Sequence, residues 1–194
     1  MESDIVVGMQ IRPVTLNDLD ALVEIDGTVE SNHYLHVARD GDGTQISWKI
    51  GERSLANRLI ESNPLSDEQR FFARQIASGA DEGVALLAEH DDQVIALLLA
   101  QPQADRRLMR IVDLRVDFDQ RREGLASALL FQLMQTAREM ELRAVAAETR
   151  SNNSPANQLM QKLGFELSGL DGQRYGADDL VKDSVALFWY APLE

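Results

Sequence analysis

The clearest pattern along the chain begins at residue 84. Two apolar runs, Val84-Ala-Leu-Leu-Ala-Glu-His90 and Gln93-Val-Ile-Ala-Leu-Leu-Leu-Ala100, flank Asp91-Asp92, which predicts two buried strands joined by a tight turn. A further strand follows over 107–117. From about Glu123 to Met140, Leu125, Leu129, Leu133 and Ala137 recur on one stripe at helical spacing. A strand at 142–149, a helix at 155–163, a strand over 165–170 and a last strand at 184–190 complete the C-terminal half. Strands alternating with helices imply parallel neighbours joined by crossover helices, so the fold class is α/β, or α+β, around a mixed sheet.

The N-terminal part is less patterned. Residues 9–13 predict a short first strand. Thr15 is placed to cap a helix carrying Leu16, Leu19, Leu22 and Val23 on one face. His33 to Gly43 reads as strand or loop and Ser54 to Glu61 as a helix. Asp67 to Ile76 reads as another, starting after the Asn63-Pro64 break and stopped by Gly79. No repeat, low-complexity tract or Pro/Gly/Ser linker interrupts the sequence, which predicts a single domain over 1–194.

Composition narrows the functional classes. The 194 residues carry 19 Lys+Arg against 32 Asp+Glu, a net charge of −13, which argues against nucleic acid as a partner and favours cationic ones. The chain contains no cysteine, which removes disulfides, thiolate metal sites and cysteine nucleophiles and fits a reducing cytoplasm. The apolar run 94–100 is far short of the roughly 20 residues a membrane span requires. The opening Met1-Glu2-Ser3-Asp4 is acidic where a signal peptide is basic, so neither membrane insertion nor export is expected. His33 and His36 lie three apart but lack an evident third ligand, and no metal site is expected.

The most informative segment is Val116-Asp-Phe-Asp-Gln-Arg-Arg-Glu-Gly-Leu-Ala126, where a buried strand runs into a turn and a helix begins. A helix start presents unpaired amides and the positive end of a dipole, which together suit an anion. Gly124 is a poor helix former, and its missing side chain lets a bulky anion approach the backbone; close packing of helix on sheet is the alternative reason for it. Arg106, Arg107, Arg110, Arg115, Arg121 and Arg122 form a basic island around this turn. Neither a Walker-type phosphate loop nor a dinucleotide-binding G-x-G-x-x-G motif is present.

Arg121-x-x-Gly124-x-Ala126, after a strand ending at Val116, resembles the acyl-CoA loop of the GNAT superfamily of N-acetyltransferases. A second block agrees with it: Asn153-Ser-Pro-Ala156 followed by Lys162-Leu-Gly164-Phe165 resembles that family's N-x-x-A and K-x-G-F signature. The resemblance covers about 84–194. It implies a mixed, splayed sheet of about seven strands, with acetyl-CoA between the strands at 109–117 and 142–149. The pyrophosphate would rest on backbone amides of Arg121, Arg122, Glu123, Gly124, Leu125 and Ala126, and pantetheine would pair near Leu114 and Val116. Asn153 would contact the cofactor arm, with plain helix capping as the alternative. The chain departs from the family at Arg122, often Gly, and at Glu123, often basic. Residues before about 80 would face the acceptor.

Acyl transfer from a thioester to an amine requires a neutral amine, a site for the oxyanion and a fate for the leaving thiolate. Only about one alkyl amine in a thousand is unprotonated at neutral pH, so a carboxylate must take the proton. Asp113 and Glu148 interrupt or end apolar strands and are the candidates; pairing with Arg110, Arg115 or Arg150 is the competing explanation of each. The oxyanion would be met by an amide near Val116. Many family members place a tyrosine proton donor where this chain has Met160, and Tyr175 is the candidate substitute. The stretch from Glu148 to Phe188 is similar to the branch containing streptothricin acetyltransferases, whose members acetylate a cationic antibiotic. The implied activity is transfer of acetyl from acetyl-CoA to a primary amine of a small cationic molecule or basic peptide. A non-catalytic acyl-CoA-binding module is the alternative, suggested by Met160. Asp26, Glu30, Asp40 and Asp42 are candidates to line an amine site or to be solvated surface charge. A homodimer joined through the strand at 184–190 is left open.

Overall fold

A computed structural model describes residues 8–193, and the N-terminal tetrapeptide read above for its charge lies outside them. In chain order the elements are β1 (Met9–Pro13), two short 3-10 turns (Leu16–Asp18 and Ala21–Glu24), β2 (Val29–Asp42), β3 (Gln45–Glu61) and α1 (Asp67–Ala77). There follow β4 (Val84–His90), β5 (Gln93–Gln103), β6 (Leu108–Val116), a 3-10 turn (Phe118–Gln120) and α2 (Leu125–Glu139). The chain continues through β7 (Ala144–Arg150), α3 (Ser154–Lys162), β8 (Glu166–Asp171) and β9 (Ala186–Pro192). Seven strands form one sheet in the order β1-β4-β5-β6-β7-β9-β8, and β2 pairs with β3 in a separate two-stranded sheet. Two compact units can be distinguished: one holds residues up to Thr28, Ser62–Val145 and Leu193, the other Val29–Glu61 and Ala146–Pro192.

In the first unit the apolar runs behave as their composition demands. β4 and β5 pair antiparallel, with His90 opposite Gln93. Asp91 and Asp92, at φ 48° and 63°, form a two-residue turn of positive-φ residues, the kind whose twist matches the right-handed twist of the strands. β5 is covered on both faces, with residues 96–100 fully buried, which explains a run lacking polar alternation. Leu125, Leu129, Leu133 and Ala137 of α2, the expected stripe, are buried, and Leu130 joins them. α1 starts at a reciprocal cap: Gln69 N donates to Ser66 Oγ at 3.1 Å and Ser66 N donates to Gln69 Oε1 at 2.9 Å.

The helix expected after Thr15 is instead the pair of 3-10 turns. Thr15 N and Oγ1 both donate to Asp18 Oδ2 at 2.7 Å, and Arg12 Nη1 and Nη2 donate to the same carboxylate at 2.8 Å. These bonds fix a single capping turn. Leu19 and Leu22 are buried as their spacing suggests, whereas Leu16 and Val23 are exposed. The Arg12 bonds hold the Asp18 carboxyl well below the usual carboxylate range.

In the second unit the helix expected over 54–61 is the C-terminal part of β3. Residues Val29–Ser31 pair with Leu59–Glu61, and the register shifts between Ser31 and His33, whose partners are Leu59 and Ser54. Leu55 and Leu59 do not distinguish the two, because a spacing of four satisfies both the helical and the strand period. The N-cap of α3 is Asn153: its Oδ1 accepts from Ala156 N at 3.2 Å, and Ser154 is already helical. Gly164, at φ 77°, ends this helix in the left-handed region, and Phe165 N donates back to Met160 O at 3.0 Å. A buried polar network ties α3 to the strands. Trp189 Nε1 donates to Thr149 Oγ1 at 2.7 Å, and Thr149 donates to Asn157 Oδ1 at 2.6 Å. Asn157 Nδ2 donates to the carbonyls of Arg150 and Ser151. β9 lies between β7 and β8 in the sheet, so the strand at 184–190 is an inner strand with no free edge to offer another subunit.

Candidate active site

The turn after β6 is built by its own side chains. Asp117 N donates to Ile95 O at 2.8 Å, and Asp117 caps the 3-10 turn by accepting from Asp119 N at 3.2 Å. Arg121 Nε donates to Val116 O at 3.2 Å, and its guanidinium lies 5.0 Å from the Phe118 ring centroid. Two residues then take left-handed conformations, Arg122 at φ 71° and Gly124 at φ 84°. Gly124 is the N-cap of α2, one position before the helix rather than inside its first turn. A Cβ there would meet nothing within 4 Å, so close packing of helix on sheet does not account for the glycine.

The start of α2 is bare. Ala128 N donates to Gly124 O, so the amides of residues 125–127 precede the first intrahelical bond. Among the described residues no side chain caps these amides, and the first turn holds no acid. Glu123 and Gly124 are exposed, Ala126 is half-buried and Leu125 is buried. Uncapped amides, the positive end of a 15-residue helix and open space over Gly124 fit the diphosphate of coenzyme A. On β6, Leu114 and Val116 are half-buried and pair with Leu98 and Ala96.

Asp113 lies in the same unit, locked in a buried ion pair. Arg115 Nε and Nη2 donate to its two oxygens at 2.6 and 2.9 Å, and Gln69 Nε2 adds a third bond at 3.1 Å. The side chains are 1% (Arg115) and 9% (Asp113) exposed. Arg115 Nη1 also donates to Asn63 O at 3.0 Å. A Cβ on Gly27 would fall 2.5 Å from that carbonyl oxygen and 3.2 Å from the guanidinium, so only glycine fits beside the pair.

In the second unit the structure brings together two residues that the sequence could only propose separately. Tyr175 Oη donates to Glu148 Oε1 at 2.9 Å. Arg174 Nε and Nη2 reach the same carboxylate, each at 3.2 Å. The Arg150 guanidinium sits 4.3 Å from the Tyr175 ring centroid and 3.7 Å from Glu61. Burial, with the bond to Glu148, pushes the Tyr175 hydroxyl well above the ordinary tyrosine range, so it stays a donor. Arg174 was not legible as a partner: it lies in a loop with no periodicity, 26 residues from Glu148. Met160 is buried within α3, and Asn153 makes the capping bond already described.

Of the acids considered for an amine site, Glu30, Asp40 and Asp42, all in the second unit, do not converge. Glu30 pairs with Arg58, whereas Asp40 and Asp42 accept from the amides of Gly41 and Gly43 in the hairpin turn. Glu30 and Asp40 are ten residues apart on one strand, about 33 Å at the usual rise. His36 Nδ1 lies 3.0 Å from Asp183 Oδ1, and among the described residues no group of three potential metal ligands gathers.

A mixed sheet with a bared helix start after its central strand defines the class of acyl-CoA-binding α/β folds. The chain belongs to the acetyltransferase (GNAT) family, whose model matches residues 52–165. It is 29% identical to streptothricin acetyltransferase of Escherichia coli over 111 residues, 57% of this chain and 64% of that protein. It is 31% identical to human N-acetyltransferase 8 over 87 residues, 43% of this chain and 38% of that one. The matches thus span less than two thirds of either relative. In fold, nourseothricin acetyltransferase superposes with a TM-score of 0.79 at 22% identity, covering 97% of this chain and 100% of that one. A candidate streptothricin acetyltransferase from Bacillus anthracis str. Ames, solved with acetyl coenzyme A, gives 0.75 at 22% identity, covering 96% and 98%.

Proposed function

We propose that this chain transfers the acetyl group of acetyl-CoA directly to a primary amine of a small cationic molecule of the streptothricin class. The observation that carries the reading is the uncapped start of α2 behind Gly124, where amides 125–127 precede the first intrahelical bond and meet no capping side chain among the described residues. Acetyl-CoA supplies the activated acyl group as a thioester. Arg121, Arg122, Gly124, Leu125 and Ala126 hold its diphosphate through the backbone, and Leu114 and Val116 offer strand backbone to its pantetheine arm. The E. coli relative that acts on streptothricin, together with a net charge of −13, supports a cationic acceptor.

Glu148 takes the ammonium proton. Its carboxylate is 27% exposed and is reached by exposed donors, whereas both oxygens of Asp113 are committed to Arg115 and Gln69. Tyr175 keeps its proton and is the available donor for the leaving thiolate. Asn153, used as a cap through Oδ1, contacts the cofactor through its amide nitrogen.

The test is a thiol-release assay with acetyl-CoA and a panel of amines that includes streptothricin, spermidine and a basic peptide. Turnover of streptothricin that falls about a hundredfold or more in Glu148→Gln is the expected result, the usual scale for losing a general base. Tight binding of coenzyme A without turnover of any amine would establish the second reading, a non-catalytic acyl-CoA-binding module. That reading draws on Met160, which leaves the family's usual donor position without a proton.

A further inference from the structure

We infer that the Glu148 carboxylate is the ammonium subsite of the acceptor and that Arg174 is its resident occupant, a guanidinium which a cationic amine displaces. The inference rests on the function proposed above and names how its acceptor is recognised.

Two ion pairs in this chain have the same chemical partners and opposite construction. Arg115 meets Asp113 at 2.6 and 2.9 Å with both side chains buried. Arg174 meets Glu148 at 3.2 and 3.2 Å, with the guanidinium 48% and the carboxylate 27% exposed. Charge-assisted N–H···O bonds settle near 2.7–2.9 Å when nothing opposes them. The second fork is loose and open to solvent, so its breaking strands no charge away from water. Arg174 also lies outside any helix or strand, in the loop between β8 and β9, where a side chain can swing without disturbing a backbone ladder.

Tyr175, the next residue, is held in place. Its amide donates to Asp179 Oδ2 at 2.8 Å, its ring lies under Arg150 and its hydroxyl donates to Glu148 Oε1. Withdrawal of Arg174 therefore leaves Glu148 oriented by one neutral donor and with Oε2 unpaired. A primary ammonium carries three donors and the same charge as the group it replaces. A neutral amide, such as the acetylated product, lacks that charge and competes poorly, so the returning guanidinium favours product release. Arg174 is on this account a specificity-determining residue that sets a common threshold for cationic acceptors.

The decisive comparison is the KM for streptothricin in wild type and Arg174→Gln, with Arg174→Lys retaining charge but not the fork. Exposed ion pairs have strengths corresponding to a change of at most about fivefold, so KM is expected to fall two- to fivefold in Arg174→Gln. Arg174→Lys should lie between the two. An unchanged or higher KM in Arg174→Gln would overturn the inference. A second measurement needs no variant: the Arg174 Nε–H resonance of the full chain, saturated with coenzyme A, is followed by NMR during titration with streptothricin and then with acetylated streptothricin. The amine should release the resonance to solvent exchange and the product should not; an Arg174 signal unmoved at saturating amine would overturn the inference. Displacement of Arg174 without acetylation would fail the proposed function and leave the subsite standing. Acetylation with Arg174 undisturbed would do the reverse.

Discussion

Replacing Asp113 by alanine tests whether that acid is structural or chemical. The substitution removes three acceptor bonds and leaves the Arg115 guanidinium, 1% exposed, without its counter-charge. Breaking a buried pair by deleting one partner costs about 3–5 kcal/mol, because the remaining charge has no water to return to. For a chain of this size each kcal/mol moves the midpoint by about 2–4 °C, so Asp113→Ala should lower Tm by roughly 6–20 °C. The double variant Asp113→Ala/Arg115→Met removes both charges. It should recover part of the loss, keeping a deficit of about 1–3 kcal/mol because Asn63 O loses its donor. Circular dichroism against temperature and urea, at pH 7, measures both. A single variant destabilised by less than about 1 kcal/mol, or a double variant less stable than the single one, would refute the ion-pair reasoning. Acetylation abolished in a variant that keeps its Tm and its affinity for coenzyme A would return Asp113 to the chemistry.

Gly124→Ala places a side chain at φ 84° in otherwise open space, so its cost is backbone strain of about 1–2 kcal/mol. Calorimetric titration should show weaker coenzyme A binding as well, and unchanged affinity would argue against diphosphate contact there. Asp18 provides the pH dependence. Its carboxyl pKa is lowered in the fold by Arg12, so the pair's stabilisation is complete above the unfolded value near pH 4 and is lost as pH falls toward the depressed folded value. Asp18→Asn should therefore be less stable than wild type by about 2 kcal/mol at pH 7, with the gap narrowing progressively as pH falls below about 4, as followed by urea denaturation. A gap that persists undiminished at pH 2 would refute the linkage.

What the sequence disclosed divides along physical lines. The strands from Val84 to Val116 and the long helix after them were legible because burial on a sheet forces a period on their side chains. The hairpin of residues 29–61 was not: most of β3 is exposed, so little selects its pattern, and Leu55 and Leu59 suit either period. At 16–23 Leu19 and Leu22 reached the core as expected but Leu16 and Val23 did not, because the short-range claims of Asp18 on Thr15 and Arg12 decided the backbone. Around the candidate site the glycine and the two acids could be picked out from their context. Their partners could not. Arg115, Gln69 and Arg174 are ordinary residues until the fold sets a carboxylate beside them.

The place of β9 bears on how the chain is made. Although it follows both β7 and β8 in the sequence, it lies between them. Until the residues of β9 have left the ribosome, the two flanking strands have no backbone to pair with on their facing sides, and Trp189 has not delivered its bond to Thr149. A nascent or prematurely stopped chain would thus hold a gap in its sheet rather than a frayed end, a state suited to capture by chaperones and to degradation when translation fails.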